Sequence, residues 1–134
     1  MLRAIQQSQS TFHEFVRAVD EDRMRVVPAL EEALVKYAFA ATEGGAEVEH
    51  MFLSRIERSS ESLSGVVTGE PLYTKAVKRG ERVQIDPARV SDWLYVIDGK
   101  GIGGHTFKLI WSRFSEEEKS AYRSQPPFVW LNAP

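Results

Sequence analysis

Eight residues, Val90 to Ile97, form the most β-prone run of the chain, and Asp98-Gly99 follows them without a gap. Both residues of an Asp-Gly pair tolerate φ > 0, so the pair favours a tight two-residue hairpin. A strand ending in such a turn commits the next segment to run back antiparallel. Period-two alternation recurs in other segments. Val35, Tyr37 and Phe39 alternate with Lys36, Ala38 and Ala40, which reads as a strand. Gly44-Gly45 supplies a turn, and Glu49 to Glu57 and Leu63 to Thr68 read as two strands joined by the polar loop Arg58-Ser59-Ser60-Glu61. Glu70-Pro71 interrupts the pattern, and Val83 and Ile85 resume it. His105, Phe107, Leu109 and Trp111 alternate with Thr106, Lys108 and Ile110, which predicts a final long strand.

Helical signals lie at the two ends. Thr11 followed by Glu14 makes a capping-box pair, and Phe12, Phe15, Val16 and Val19 then recur at helical spacing up to the acidic Asp20-Glu21-Asp22. Pro28 can open a short helix through Leu34, a segment whose pattern is ambiguous. Ser115 with Glu118 makes a second capping box, and Pro126-Pro127 stops the helix that follows. The expectation is an α+β fold: a strongly curved antiparallel sheet of about six strands flanked by an N-terminal and a C-terminal helix. With 134 residues, a single domain spanning 1–134 accommodates all of it.

Composition narrows function mainly by exclusion. There is no cysteine, hence no disulfide framework, thiol nucleophile or Cys-based zinc site. A net charge of −2 gives no general attraction to nucleic acid or to an anionic membrane, so neither is expected as a partner. No apolar run approaches membrane-spanning length and no signal-peptide core is visible, so a cytoplasmic location is the expectation.

Several residues have types that carry chemistry. Gly99, Gly101 and Gly104 satisfy G-x-G-x-x-G, but a dinucleotide loop must open a helix, and here a strand pattern follows. A glycine-rich hairpin is the better account. Glu47, Glu49, His50 and His105 suggest a metal site, yet strand alternation points Glu49 and His50 to opposite faces. No metal and no other cofactor is therefore expected. Asp92 can be a buried acid or a turn anchor, and Ser91, Asp92 and a histidine are the ingredients of a hydrolase triad without the G-x-S-x-G elbow. Trp93 and Tyr95 share a strand face, as core residues or as binding anchors. Lys75, Lys78, Arg79 and Arg82 form a modest basic cluster, best read as a solvated turn. The residues singled out for binding are Glu49, His50, Asp92, Trp93, Tyr95 and His105, with no catalytic residue assigned.

The blocks Val48 to Leu53, Gly69-Glu70-Pro71 and Val77 to Val83 resemble the YegJ-like family of bacterial proteins, domain of unknown function 2314. Val90 to Val96, Gly103-Gly104-His105-Thr106, and Glu116 through Phe128 continue the likeness over about residues 10–128, with Ser91-Asp92-Trp93 and Gly-Gly-x-Thr the most specific parts. Relatives typically carry Tyr in place of His105 and often Trp in place of Phe52. The resemblance implies an α+β fold and brings no established activity. Similar small bacterial domains stand near polymorphic toxins as immunity proteins. The leading expectation is thus a non-catalytic binding protein, an immunity protein that neutralises a cognate toxin by direct contact. The alternatives are a small hydrolase or metal-dependent enzyme using His50, Asp92 and His105, and a module that senses a small ligand.

Overall fold

The computed structural model describes residues 1–41 and 47–131, so the expected Gly44-Gly45 turn lies outside the described residues. The chain opens with helices α1 (Leu2–Ser10) and α2 (Phe12–Arg23). Strands β1 (Glu32–Ala40), β2 (Val48–Ser59), β3 (Ser62–Val67) and β4 (Arg82–Gln84) follow, then a 3-10 turn (Pro87–Arg89), β5 (Val90–Ile97) and β6 (Lys100–Gly103). Helices α3 (His105–Arg113), α4 (Glu116–Tyr122) and α5 (Phe128–Leu131) complete it. The six strands form one sheet in the order β4-β3-β2-β1-β5-β6, and every neighbouring pair is antiparallel. The fold is α+β.

Alternation on β1 separates two faces. Val35, Tyr37 and Phe39 point to one side, where they join Leu53, Met51 and Trp93 beneath Phe12, Phe15 and Val19 of α2. Leu34, Lys36 and Ala38 point to the other, beside their β2 partners Phe52 and His50. There Phe52 stacks on Phe107 of α3 at 5.3 Å, and Phe128 of α5 packs against Phe107 and Trp111. The C-terminal helices thus cover a second apolar layer, and the sheet is buried on both faces at its centre.

Two expected turns form, the β2–β3 one tighter than read, because Arg58 and Ser59 still pair in β2. Asp98 and Gly99 adopt φ of 52° and 71°, joining β5 to β6, and Ser60 at φ 50° turns β2 into β3. The Ser115–Glu118 capping box is present in both directions.

Four local expectations are corrected. The segment 105–111 is helix α3, not a strand: Gly103 and Gly104 at φ 96° and 67° turn the chain off the sheet, and the first helical amides find an acceptor below them. Phe107 and Trp111, which alternation placed on a strand face, also stand one helical turn apart and bury together around Phe128. Helix α1 precedes the expected start, and the Thr11 hydroxyl donates to Gln7 O at 2.7 Å, so it caps no helix N-terminus. Helix α2 runs to Arg23, past the acidic triplet, because Asp22 turns its carboxylate to the amides of Ala29 and Leu30 at 2.6 and 3.0 Å. Finally, residues 32–34 belong to β1 rather than to a helix begun at Pro28.

Candidate functional site

Asp92 lies where α1, β5 and α3 meet, and it is 1% exposed. A lone buried carboxylate is costly, so its oxygens must be supplied with donors. Its Oδ1 accepts from Ser8 Oγ at 3.0 Å, Trp93 N at 2.8 Å and His105 N at 3.1 Å. Its Oδ2 accepts from Thr106 N at 2.8 Å and Thr106 Oγ1 at 2.5 Å. Two of these donors are amides at the start of α3, the end of a helix that favours negative charge. The glycine run does therefore open a helix, contrary to the sequence reading, but the anion at its N-terminus is the protein's own Asp92. Trp93 is 2% exposed and donates Nε1–H to Ser8 O at 3.0 Å. Its ring stacks on half-buried Tyr95 at 5.9 Å and meets His105 edge-on at 5.5 Å. Burial, then the charges of Glu14 and Glu21, raises the Tyr95 phenol above its usual value. Four of the six nominated residues, Asp92, Trp93, Tyr95 and His105, thus come together at one junction, built as a structural anchor.

His105 carries the one oddity of that junction. Its Nε2 is buried without a hydrogen-bond partner among the described residues. Burial lowers its pKa from the ordinary imidazole value; Asp92 and Glu14 oppose this and Lys108 adds to it.

His50 and Glu49 go elsewhere. The β1–β5 register slips between Lys36 and Tyr37, and Ser91 falls in the bulge. Ser91 Oγ donates to Lys36 O at 3.2 Å and lies 3.0 Å from His50 Nδ1. With that hydroxyl proton committed, the Nδ1–H tautomer of His50 satisfies the contact by donating to Ser91. This arrangement gives the imidazole no serine proton to take. Burial, with the Lys36 charge adding, lowers the His50 pKa. Lys36 itself is lowered by burial, against the pull of Asp92; its ammonium lies over the Phe107 ring at 5.0 Å and 3.4 Å from Thr106 Oγ1. Glu49 accepts backbone N–H bonds from Leu72, Tyr73 and Thr74 at 2.8, 2.8 and 2.9 Å. The Leu72 and Thr74 bonds, then that from Tyr73, hold its carboxyl below the ordinary range against some desolvation. Among the described residues no three His, Asp or Glu side chains are placed to hold a metal ion.

Sequence reasoning missed Ser8, Lys36 and Thr106, the partners that complete the Asp92 cluster. Thr106 stood within the Gly-Gly-x-Thr signature, whereas Ser8 lay in a helix with no recognised start signal. It also missed the loops that carry exposed apolar groups. Met24, Val26 and Val27 are 87%, 101% and 77% exposed, on a loop whose base is clamped by Asp22. Leu72 and Tyr73, 72% and 40% exposed, stand on the loop that Glu49 holds.

A family model described as an uncharacterised protein conserved in bacteria, DUF2314, matches residues 1–128. The chain belongs to this DUF2314 family. Among curated proteins it is 32% identical over 121 residues to one named for ankyrin repeats in Neisseria meningitidis serogroup B, covering 90% of this chain and 48% of that protein. It is 27% identical over 77 residues to the uncharacterised protein YegJ of Escherichia coli, covering 58% of this chain and 50% of YegJ. The chain thus spans about half the length of the curated relatives it matches. No solved structure matches. Asp92, Trp93, Gly103, Gly104 and Thr106, the residues on which the sequence resemblance most rests, all fall at the α1–β5–α3 junction. Among the described residues no helix is long and apolar enough to cross a membrane.

Proposed function

We propose that this DUF2314 domain is a non-catalytic binding module that docks on a protein partner, in the manner of a bacterial immunity protein neutralising a toxin by direct contact. The observation that carries the reading is the 24–28 loop. Three large apolar side chains stand in solvent on a segment that Asp22 ties at its base. Exposed apolar groups add nothing to folding, and a loop ordered in advance loses less entropy on association. The partners already taken by the nominated polar residues favour binding over catalysis. Asp92 has both oxygens engaged, and His50 and His105 contact different neighbours. The relative named for ankyrin repeats adds a setting consistent with protein recognition, since such arrays present binding surfaces.

Co-expression with the product of the adjacent gene tests it. The expected result is rescue of growth and a complex that co-elutes in gel filtration. The double variant Val26→Asp, Val27→Asp loses both, while its stability stays within about 0.5 kcal/mol, as for surface changes in general. No rescue and no complex with the unaltered chain sinks the reading.

A further inference from the structure

A concave site lies between α1, α2 and the β2–β3 hairpin, and none of its lining residues belongs to the docking loop. The β2–β3 register shifts between Ser54 and Glu57, where Arg55 takes φ 48°, and the hairpin beyond this bulge reaches α2. Arg58 Nε meets Asp20 at 3.5 Å and ties the two elements together. Gln9 Nε2 donates to Ala88 O at 3.0 Å and ties the end of α1 to the 3-10 turn. Between these two braces is a cavity of about 530 Å³, within the range of small-molecule sites. Phe12, Leu63, Ile85 and Pro87 line its apolar part, and Arg58 and Glu61 bring one charge of each sign to it.

We infer that this cavity binds a small zwitterion with an apolar side chain, the chemistry of a free hydrophobic α-amino acid. The apolar lining takes the side chain. Arg58 is oriented through Nε, and its terminal nitrogens make no hydrogen bond among the described residues, leaving a planar fork suited to a carboxylate. Glu61 complements the ammonium. A ligand carrying only one charge forgoes one of these two contacts.

Isothermal titration of the full chain with L-phenylalanine tests the inference, alongside hydrocinnamate, which lacks the ammonium, and phenethylamine, which lacks the carboxylate. Saturable binding of phenylalanine at one site is expected, with each single-charge analogue at least about tenfold weaker, the equivalent of one lost charged contact. Glu61→Gln and Arg58→Gln should each weaken phenylalanine by a similar factor. Arg58→Gln also removes the tie to Asp20, so Glu61→Gln and the analogues carry the decision if that variant fails to fold. No saturation by about 10 mM, a value far above ordinary metabolite-site constants, overturns the inference. So does equal affinity for either analogue, or an unchanged affinity in Glu61→Gln.

Discussion

Replacing Asp92 with Asn keeps the shape of the side chain and removes half of its acceptor capacity. The carboxylate receives three donors at Oδ1 and two at Oδ2. Asparagine offers one oxygen and one amide nitrogen. Its best orientation keeps the oxygen toward Ser8, Trp93 N and His105 N and turns the NH2 toward Thr106. The Thr106 hydroxyl can rotate to accept from it, but the Thr106 N–H then faces another donor with no acceptor. An orphaned buried donor costs about 1–3 kcal/mol. Loss of charge assistance at the three bonds that survive adds about 0.5 kcal/mol each, since ionic hydrogen bonds are roughly twice as strong as neutral ones. An amide is easier to bury than a carboxylate, which returns on the order of 1 kcal/mol. The net expectation is a loss of about 1.5–3.5 kcal/mol, a large share of the roughly 5–15 kcal/mol that holds a domain. Urea unfolding followed by tryptophan fluorescence reads it directly, because buried Trp93 adjoins the site. With m near 1–3 kcal/mol per molar, the midpoint falls by about 0.5 M or more. Thr106→Val, which removes the hydroxyl bond to Asp92 and the long contact from Lys36 but keeps the Thr106 N–H bond, should cost less, about 1–2 kcal/mol. The double variant should cost less than the sum of the two, because both act on the same oxygen. A loss below about 0.5 kcal/mol for Asp92→Asn, within the range of ordinary surface changes, would refute the role of Asp92 as the structural anchor of this junction.

Gly103→Ala should be among the most damaging single changes: φ is 96° there, and an added Cβ would sit 2.3 Å from Trp93 O and 2.5 Å from Trp93 Cε3. Strain and overpacking together predict a loss of about 3–5 kcal/mol, read by thermal unfolding; a soluble variant with an unchanged transition contradicts the close approach. His105→Phe removes the orphaned Nε2 and should raise stability at neutral pH by about 1 kcal/mol. Because burial depresses the folded-state pKa of His105, its contribution is intact above the unfolded imidazole value and is lost as pH falls through the window below 6.5. Urea midpoints measured from pH 7 to 5 should therefore fall less steeply in His105→Phe than in the unaltered chain, and parallel slopes would count against the assignment. Glu49, whose folded pKa is depressed, should hold the amides of Leu72, Tyr73 and Thr74 protected from hydrogen exchange above its ordinary value near 4.5 and release them as pH falls through its lower folded value. Glu49→Gln should weaken that protection at neutral pH; unaltered exchange at all three amides would show that something else holds the loop.

Local chemistry determined a good part of this protein. The Asp98-Gly99 turn, the alternation on β1 and β5 and the Ser115–Glu118 box each depend on neighbouring residues, and each is legible because those neighbours lie within a few positions in the sequence. The family resemblance was legible for the same reason, since it rests on short blocks in order. The tertiary structure decided what depends on contacts between distant segments. Residues 105–111 satisfy a period of two and a period near 3.6 equally well. What selects the helix is the acceptor that Asp92, 13 and 14 positions earlier, offers to the amides of His105 and Thr106. Ser8 reaches the same carboxylate across 84 positions, a pairing that no local pattern encodes. The six residues nominated for binding were chosen by side-chain type, and type alone does not reveal whether its hydrogen-bonding capacity is already spent. Glu49 is spent on backbone amides and Asp92 on backbone amides and two hydroxyls, where folding places donors against them. The exposed apolar residues passed unnoticed because Met24, Val26 and Val27 look like core by composition, and only the assembled fold shows that they were left outside.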